Sequence, residues 1–151
     1  MAVDYSLMNA QIRALSEASP DWMPVLANAS ALISGSMEDI NWAGFYLVRD
    51  GALLLGPFQG KTACVSIPKG KGVCGTAYEK DRTQVVKDVH KFPGHIACDS
   101  ASNSEIVVPV HHEGRVAAVL DIDSPLFDRF SESDREGLES FVRTLEEIIE
   151  W

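Results

Sequence analysis

Trp42-Ala43-Gly44-Phe45-Tyr46-Leu47-Val48-Arg49-Asp50-Gly51-Ala52-Leu53-Leu54-Leu55 is the stretch where the hydrophobic pattern changes from helical to extended. Residues 42–48 are aromatic and aliphatic, as in a buried strand. Asp50-Gly51 then supplies two residues that tolerate positive φ in a tight hairpin turn, and residues 52–55 return as a second strand. Side chains alternate along a strand, so Trp42, Gly44 and Tyr46 share one face. The two aromatics sit roughly 13 Å apart on an extended backbone rising about 3.3 Å per residue. The glycine between them leaves space for a small ligand; the alternative is two aromatics packed under a helix.

Outside the hairpin, apolar residues recur at helical spacing. Met8, Ile12 and Leu15 predict a helix over 6–16, ending before Pro20. Trp22, Val25, Leu26, Ala29, Leu32 and Ile33 form a stripe over 21–34, and Leu138, Phe141, Val142, Leu145, Ile148 and Ile149 repeat its offsets. Ser131-Glu132-Ser133-Asp134 opens that last helix as a capping sequence, and Glu146, Glu147 and Glu150 are assigned to its wet face. Further strands are predicted at 63–67, 84–88, 106–111 and 115–122, with Glu113-Gly114 turning the last two. A short helix is predicted near 73–80, beside Gly70, Gly72 and Gly75. Six strands between helices predict one α+β domain over 1–151, with a mainly antiparallel sheet and the terminal helices side by side on one face. Residues 88–104, containing Pro93-Gly94, form an irregular excursion of a length uncommon unless the loop is a functional lid or disordered.

With 151 residues, 46% hydrophobic and 23% charged, the chain has the composition of a globular domain. A net charge of -9 argues against nucleic acid as a partner. Lys69, Lys71, Lys80, Arg82, Lys87 and Lys91 alternate with Glu79, Asp81 and Asp88, as on a solvated surface. No apolar run reaches the roughly 20 residues a membrane helix needs. Met1-Ala2-Val3-Asp4-Tyr5 lacks a secretory pattern, so a cytoplasmic protein is expected.

Parity places the chemistry. In the strand predicted at 115–122 and its continuation, Val116, Ala118, Leu120 and Ile122 share the core face, whereas Asp121 and Asp123 lie opposite with Ala117 and Val119. Two carboxylates so close raise each other's pKa. If Glu105, which opens the adjoining strand, brings a third acid to the same cleft, one carboxyl can stay protonated as a general acid; the alternative is a turn-capping Asp before Ser124-Pro125 and a solvated Asp. Cys98-Asp99-Ser100-Ala101-Ser102-Asn103-Ser104-Glu105 is a small polar loop opened by a cysteine and closed by that carboxylate. Three cysteines, Cys64, Cys74 and Cys98, leave inert thiols, a metal site or redox chemistry open. Gaps of ten and twenty-four residues disfavour zinc, even with His90 or His95 added. Gly70-Lys71-Gly72-Val73-Cys74-Gly75 lacks the Lys-Ser/Thr ending of a phosphate loop. His111 and His112 are expected in solvent.

The combination resembles the GAF-domain free methionine-(R)-sulfoxide reductases. The matching segments are Asn41-Trp42-Ala43-Gly44-Phe45-Tyr46-Leu47, Leu55-Gly56-Pro57-Phe58-Gln59-Gly60-Lys61, Ala63-Cys64 and Gly70-Lys71-Gly72-Val73-Cys74-Gly75. They continue in Phe92-Pro93-Gly94-His95-Ile96-Ala97-Cys98-Asp99-Ser100, Ser104-Glu105-Ile106-Val107-Val108-Pro109 and Val119-Leu120-Asp121-Ile122-Asp123-Ser124. The resemblance implies a single GAF domain with a ligand pocket on the sheet face opposite the terminal helices. It implies that free L-methionine-(R)-sulfoxide is reduced through a cysteine sulfenic acid and an intramolecular disulfide, recycled by thioredoxin. Cys98 is then the nucleophile, Cys64 the main resolving thiol and Cys74 an additional one. Glu105 and Asp123 serve the sulfoxide, Asp121 positions that pair or the substrate ammonium, and Trp42 and Tyr46 hold the methyl group. No bound cofactor or metal is implied, thioredoxin is the external partner, and a homodimer is expected. The other function classes are a small-ligand GAF sensor and a thiol redox switch without turnover.

Overall fold

The computed structural model describes residues 2–96 and 98–151, so Met1 and Ala97 of the segments above lie outside the described residues. The elements are α1 (Tyr5–Leu15), α2 (Trp22–Ser36), β1 (Trp42–Arg49), β2 (Ala52–Gly60), β3 (Ser66–Pro68), α3 (Gly72–Lys80), β4 (Gln84–Val86), β5 (Ser104–His112), β6 (Arg115–Ser124) and α4 (Glu132–Ile148). The sheet order is β3-β2-β1-β6-β5-β4, and every pairing is antiparallel.

Both hairpins turn where the sequence indicates. Asp50 and Gly51 have φ of 53° and 77°, and Glu113 and Gly114 have 53° and 76°. Paired positive φ values match the right-handed strand twist and set β1 against β2 and β5 against β6. The central neighbours β1 and β6 join the two hairpins into one sheet.

Each face of the sheet carries its own core. On one, Ala43, Phe45 and Leu47 of β1 and Ala118, Leu120 and Ile122 of β6 pack with the stripes of α2 and α4, and α1 lies against both helices. On the other, Trp42, Tyr46, Val107 and Val119 pack with Val73, Cys74 and Ala77 of α3. Ser131 caps α4: its hydroxyl accepts from the Asp134 N–H, and the Asp134 carboxylate accepts from the Ser131 N–H. That carboxylate also accepts from the Tyr5 hydroxyl at 2.7 Å, fastening α1 to the start of α4.

Several expectations need correction. Leu15, the last residue of α1, is 48% exposed, outside the buried stripe that Met8 and Ile12 form. Val116 packs on the α3 side rather than in the helix-covered core. Its partner is His111, whereas Ala118 pairs with Val110, so Ala117 is an extra residue and parity inverts beyond it. The strand predicted at 63–67 is displaced to Ser66–Pro68, leaving Ala63 and Cys64 in a loop. His111 is not free in solvent: Glu146 accepts from its backbone N–H at 2.6 Å and meets Nδ1 at 2.9 Å, while Asp81 meets Nε2. Glu146 therefore docks onto β5 instead of lying on a wet face. Its two charged contacts hold the His111 pKa up, although partial burial works against them.

Candidate active site

Strand register builds the site in rows across the α3-side face. Trp42, Asp123 and Glu105 lie side by side on β1, β6 and β5, and the next row is Gly44, Asp121 and Val107. Tyr46 and Val119 follow. The three carboxyls therefore converge on this face, with Glu105 brought beside Asp123 by the register shift at Ala117. α3 closes over them and places the Cys74 thiol 3.8 Å from Glu105 Oε2, toward which it donates. Glu105 and Asp121 keep only 8% and 6% of their surface exposed.

Burial decides the electrostatics. It pushes Glu105 far above its ordinary carboxylate pKa, with Asp121 and Asp123 adding to the rise. Asp123 is likewise pushed far up by burial and by Asp121. Asp121 also rises through burial, moderated by hydrogen bonds with Glu105 and Cys74. Three buried carboxyls cannot all ionise together, so the cluster retains protons at neutral pH. The same burial and acids raise the Cys74 thiol, leaving it a poor resting thiolate.

Cys64 and Cys98 are joined in a disulfide with a Cα–Cα distance of 5.4 Å, and Cys74 is a buried free thiol. This bond connects the loop after β2 to the loop before β5 and lies on the same cavity as the acids. Pairing of Cys64 with Cys98 removes the zinc arrangement that needed both as thiolates; His90 instead bonds the Asn103 side chain. Among the described residues, Cys74, Glu105 and Asp121 alone bring three potential ligand atoms within 4.8 Å of one another.

The aromatics hold the loop after β2. The Tyr46 hydroxyl donates to the Cys64 carbonyl at 2.9 Å, and Trp42 Nε1 donates to the Lys61 carbonyl at 3.1 Å. Their rings lean together to 5.9 Å between centroids, despite the two-residue separation on each side of Gly44. Gly44 does not make room for a ligand. A Cβ there would lie 2.3 Å from Phe58 Cβ and 2.9 Å from the Pro57 carbonyl oxygen, so β2 fills the space. Gly56 and Pro57 bulge out opposite Phe45, which brings the Phe58 ring to 5.1 Å from Trp42 in a stack.

Sequence reasoning assigned no role to Phe58, because its register depends on that bulge. It also gave none to Asn41, whose amide donates to Asp99 Oδ2 at 2.9 Å and Ser102 Oγ at 3.1 Å. Adjacency of Asn41 to Trp42 was the available signal. Lys71 and Gly72 also line the cavity, where the first turn of α3 opens with no side-chain cap.

A family model described as a GAF domain matches residues 25–150. A free methionine-R-sulfoxide reductase of Escherichia coli (strain K12) is 51% identical over 145 residues, spanning 96% of this chain and 88% of that protein. A reduced-form structure of fRMsr from Staphylococcus aureus superposes with a TM-score of 0.95 at 50% identity, covering 99% of this chain and 97% of that one. The Staphylococcus aureus complex with substrate gives 0.94 at 49% identity, covering 99% and 98%. With Cys74, Cys98 and all three acids on one cavity and Cys64 bonded to Cys98, the chain belongs to the GAF-domain family, among the free methionine-R-sulfoxide reductases.

Proposed function

We propose that this protein reduces free L-methionine-(R)-sulfoxide to methionine, with Cys98 as nucleophile and Cys64 as resolving thiol. One observation carries the reading: a disulfide and a proton-holding carboxyl cluster share one small cavity. The Cys98 thiolate attacks the sulfoxide sulfur while Glu105 and Asp123 supply the proton that turns its oxygen into a competent leaving group. Oxygen passes to Cys98 as sulfenic acid, and methionine, now two electrons richer, departs. Cys64 attacks that sulfenic acid, water leaves and the observed disulfide forms. An external dithiol, thioredoxin in our reading, returns both thiols by exchange and becomes oxidised itself. Cys74 is an additional resolving thiol.

Substrate features match the walls. Asp121 Oδ1, buried with no hydrogen-bond partner among the described residues, suits the substrate ammonium. Lys71 and the uncapped first turn of α3 suit its carboxylate. Trp42 and Tyr46 flank the methyl group. A phosphate-bearing ligand of a sensor would instead face three acids, which argues against that class. Among the described residues, no helix is long and apolar enough to cross a membrane; we place the protein in the cytoplasm, where thioredoxin keeps thiols reduced. A homodimer near twice 16.5 kDa is the expected assembly, checked by light scattering.

The reading is tested by following thioredoxin-coupled turnover with free methionine sulfoxide and with the same sulfoxide inside a peptide. Turnover of the free amino acid alone supports it; equal turnover of both, or of neither, overturns it.

A further inference from the structure

We propose that Cys74, Glu105 and Asp121 form a binding site for a borderline divalent cation, zinc above all, that competes with substrate for the cavity. Their ligand atoms all lie within 4.8 Å of one another. Tetrahedral zinc with sulfur at ~2.3 Å and carboxylate oxygen at ~2.1 Å separates those two ligands by about 3.6 Å. The Cys74 Sγ to Glu105 Oε2 distance is 3.8 Å, close to that value without movement of either strand or helix. A second observation points to a ligand independently of this spacing. Asp121 Oδ1 is buried and unpartnered, although Asp121 is only 6% exposed.

Donor chemistry narrows the ion. A thiolate disfavours magnesium and calcium, which take six or more oxygens. Three protein ligands and a position open to the cavity match the coordination that zinc accepts. Binding releases the thiol proton and those held by the carboxyls, and the ion's charge replaces them in the cluster. It would occupy the place assigned above to the sulfoxide and ammonium. Binding stands on geometry alone, whereas competition with substrate rests on the reductase reading.

The disulfide form isolates the test, because Cys74 is then its only free thiol. Cobalt, added as a spectroscopic substitute, is expected to bind once per chain with a thiolate-to-cobalt charge-transfer band that one equivalent of zinc abolishes. Cys74→Ser should remove the band, and Asp121→Asn should weaken binding about tenfold or more, with near-ultraviolet circular dichroism verifying the fold of both. In the reduced enzyme, zinc should raise KM for methionine sulfoxide and leave kcat unchanged. No band in folded wild-type protein, or zinc affinity in either variant equal to that of wild type, overturns the site. A fall in kcat at constant KM overturns the competition. A band in a protein with no reductase activity keeps the cation site and removes the reductase reading instead.

Discussion

Glu105→Gln separates the proton-holding role of the cluster from its shape. The amide is nearly isosteric and still accepts from Cys74, but it carries no titrating proton. Glu105 is buried beside Asp121 and Asp123, so its folded pKa lies well above the ordinary 4.5. In the unfolded chain the group ionises first, and the folded state binds more protons over the interval between the two values. Stability contributed by this group therefore falls as pH rises from about 4.5. The slope approaches about 1.4 kcal/mol per pH unit for one group, levelling off only above the folded pKa. Removing the group should flatten the curve, so Glu105→Gln gains on wild type as pH rises above about 4.5. Urea unfolding of the reduced proteins at several pH values measures this. Loss of the proton donor should meanwhile lower kcat/KM by about 10²–10⁴. Parallel stability curves, with activity retained, would refute a proton shared within the cluster.

Three further outcomes follow from contacts described above. Gly44→Ala should destabilise by about 1–3 kcal/mol, because its Cβ would collide with Phe58 and Pro57 across the bulge; an unchanged thermal midpoint would contradict that packing. His111→Gln should cost more stability at pH 6 than at pH 9, because a raised histidine pKa stabilises below about 6.5 and its contribution is lost as pH rises through the folded value. Partial exposure limits this difference to well under about 1 kcal/mol, read by urea unfolding at both pH values, and a constant difference would contradict it. Tyr46→Phe removes the hydroxyl that holds the Cys64 carbonyl; sulfenic acid should persist several-fold longer in dimedone labelling, at about 1 kcal/mol per lost bond, whereas an unchanged lifetime would show that the tether is dispensable.

Much of the site is legible in the amino-acid sequence, because a strand has a fixed period. Asp121 and Asp123 must share a face, whereas the turn at Glu113-Gly114 alone would set Glu105 opposite Ile122, and it is the extra residue Ala117 that shifts Glu105 beside Asp123. Turn chemistry at Asp50-Gly51 and the stripe of α4 are equally readable, because each depends on local residues alone. What escapes is set by irregular pairing. The extra residue Ala117 reverses Val116, and the Gly56-Pro57 bulge seats Phe58 on Trp42 and fills the space at Gly44. Neither shift leaves a periodic trace. The Asn41 tether to Asp99 and Ser102, and the docking of Glu146 on His111, join residues distant in sequence through single polar contacts. No alternation or stripe encodes such pairs. Pairing of Cys64 with Cys98 came from family resemblance, since three cysteines permit three pairings.

Single-turnover reduction of free L-methionine-(R)-sulfoxide by fully reduced protein without thioredoxin tests the proposed chemistry most directly, with Cys98→Ser run beside it. Wild type should release about one methionine per chain and acquire the Cys64–Cys98 disulfide, while Cys98→Ser releases none. Methionine formed by Cys98→Ser would move the nucleophile to another thiol, and none from wild type would contradict reductase chemistry at this site.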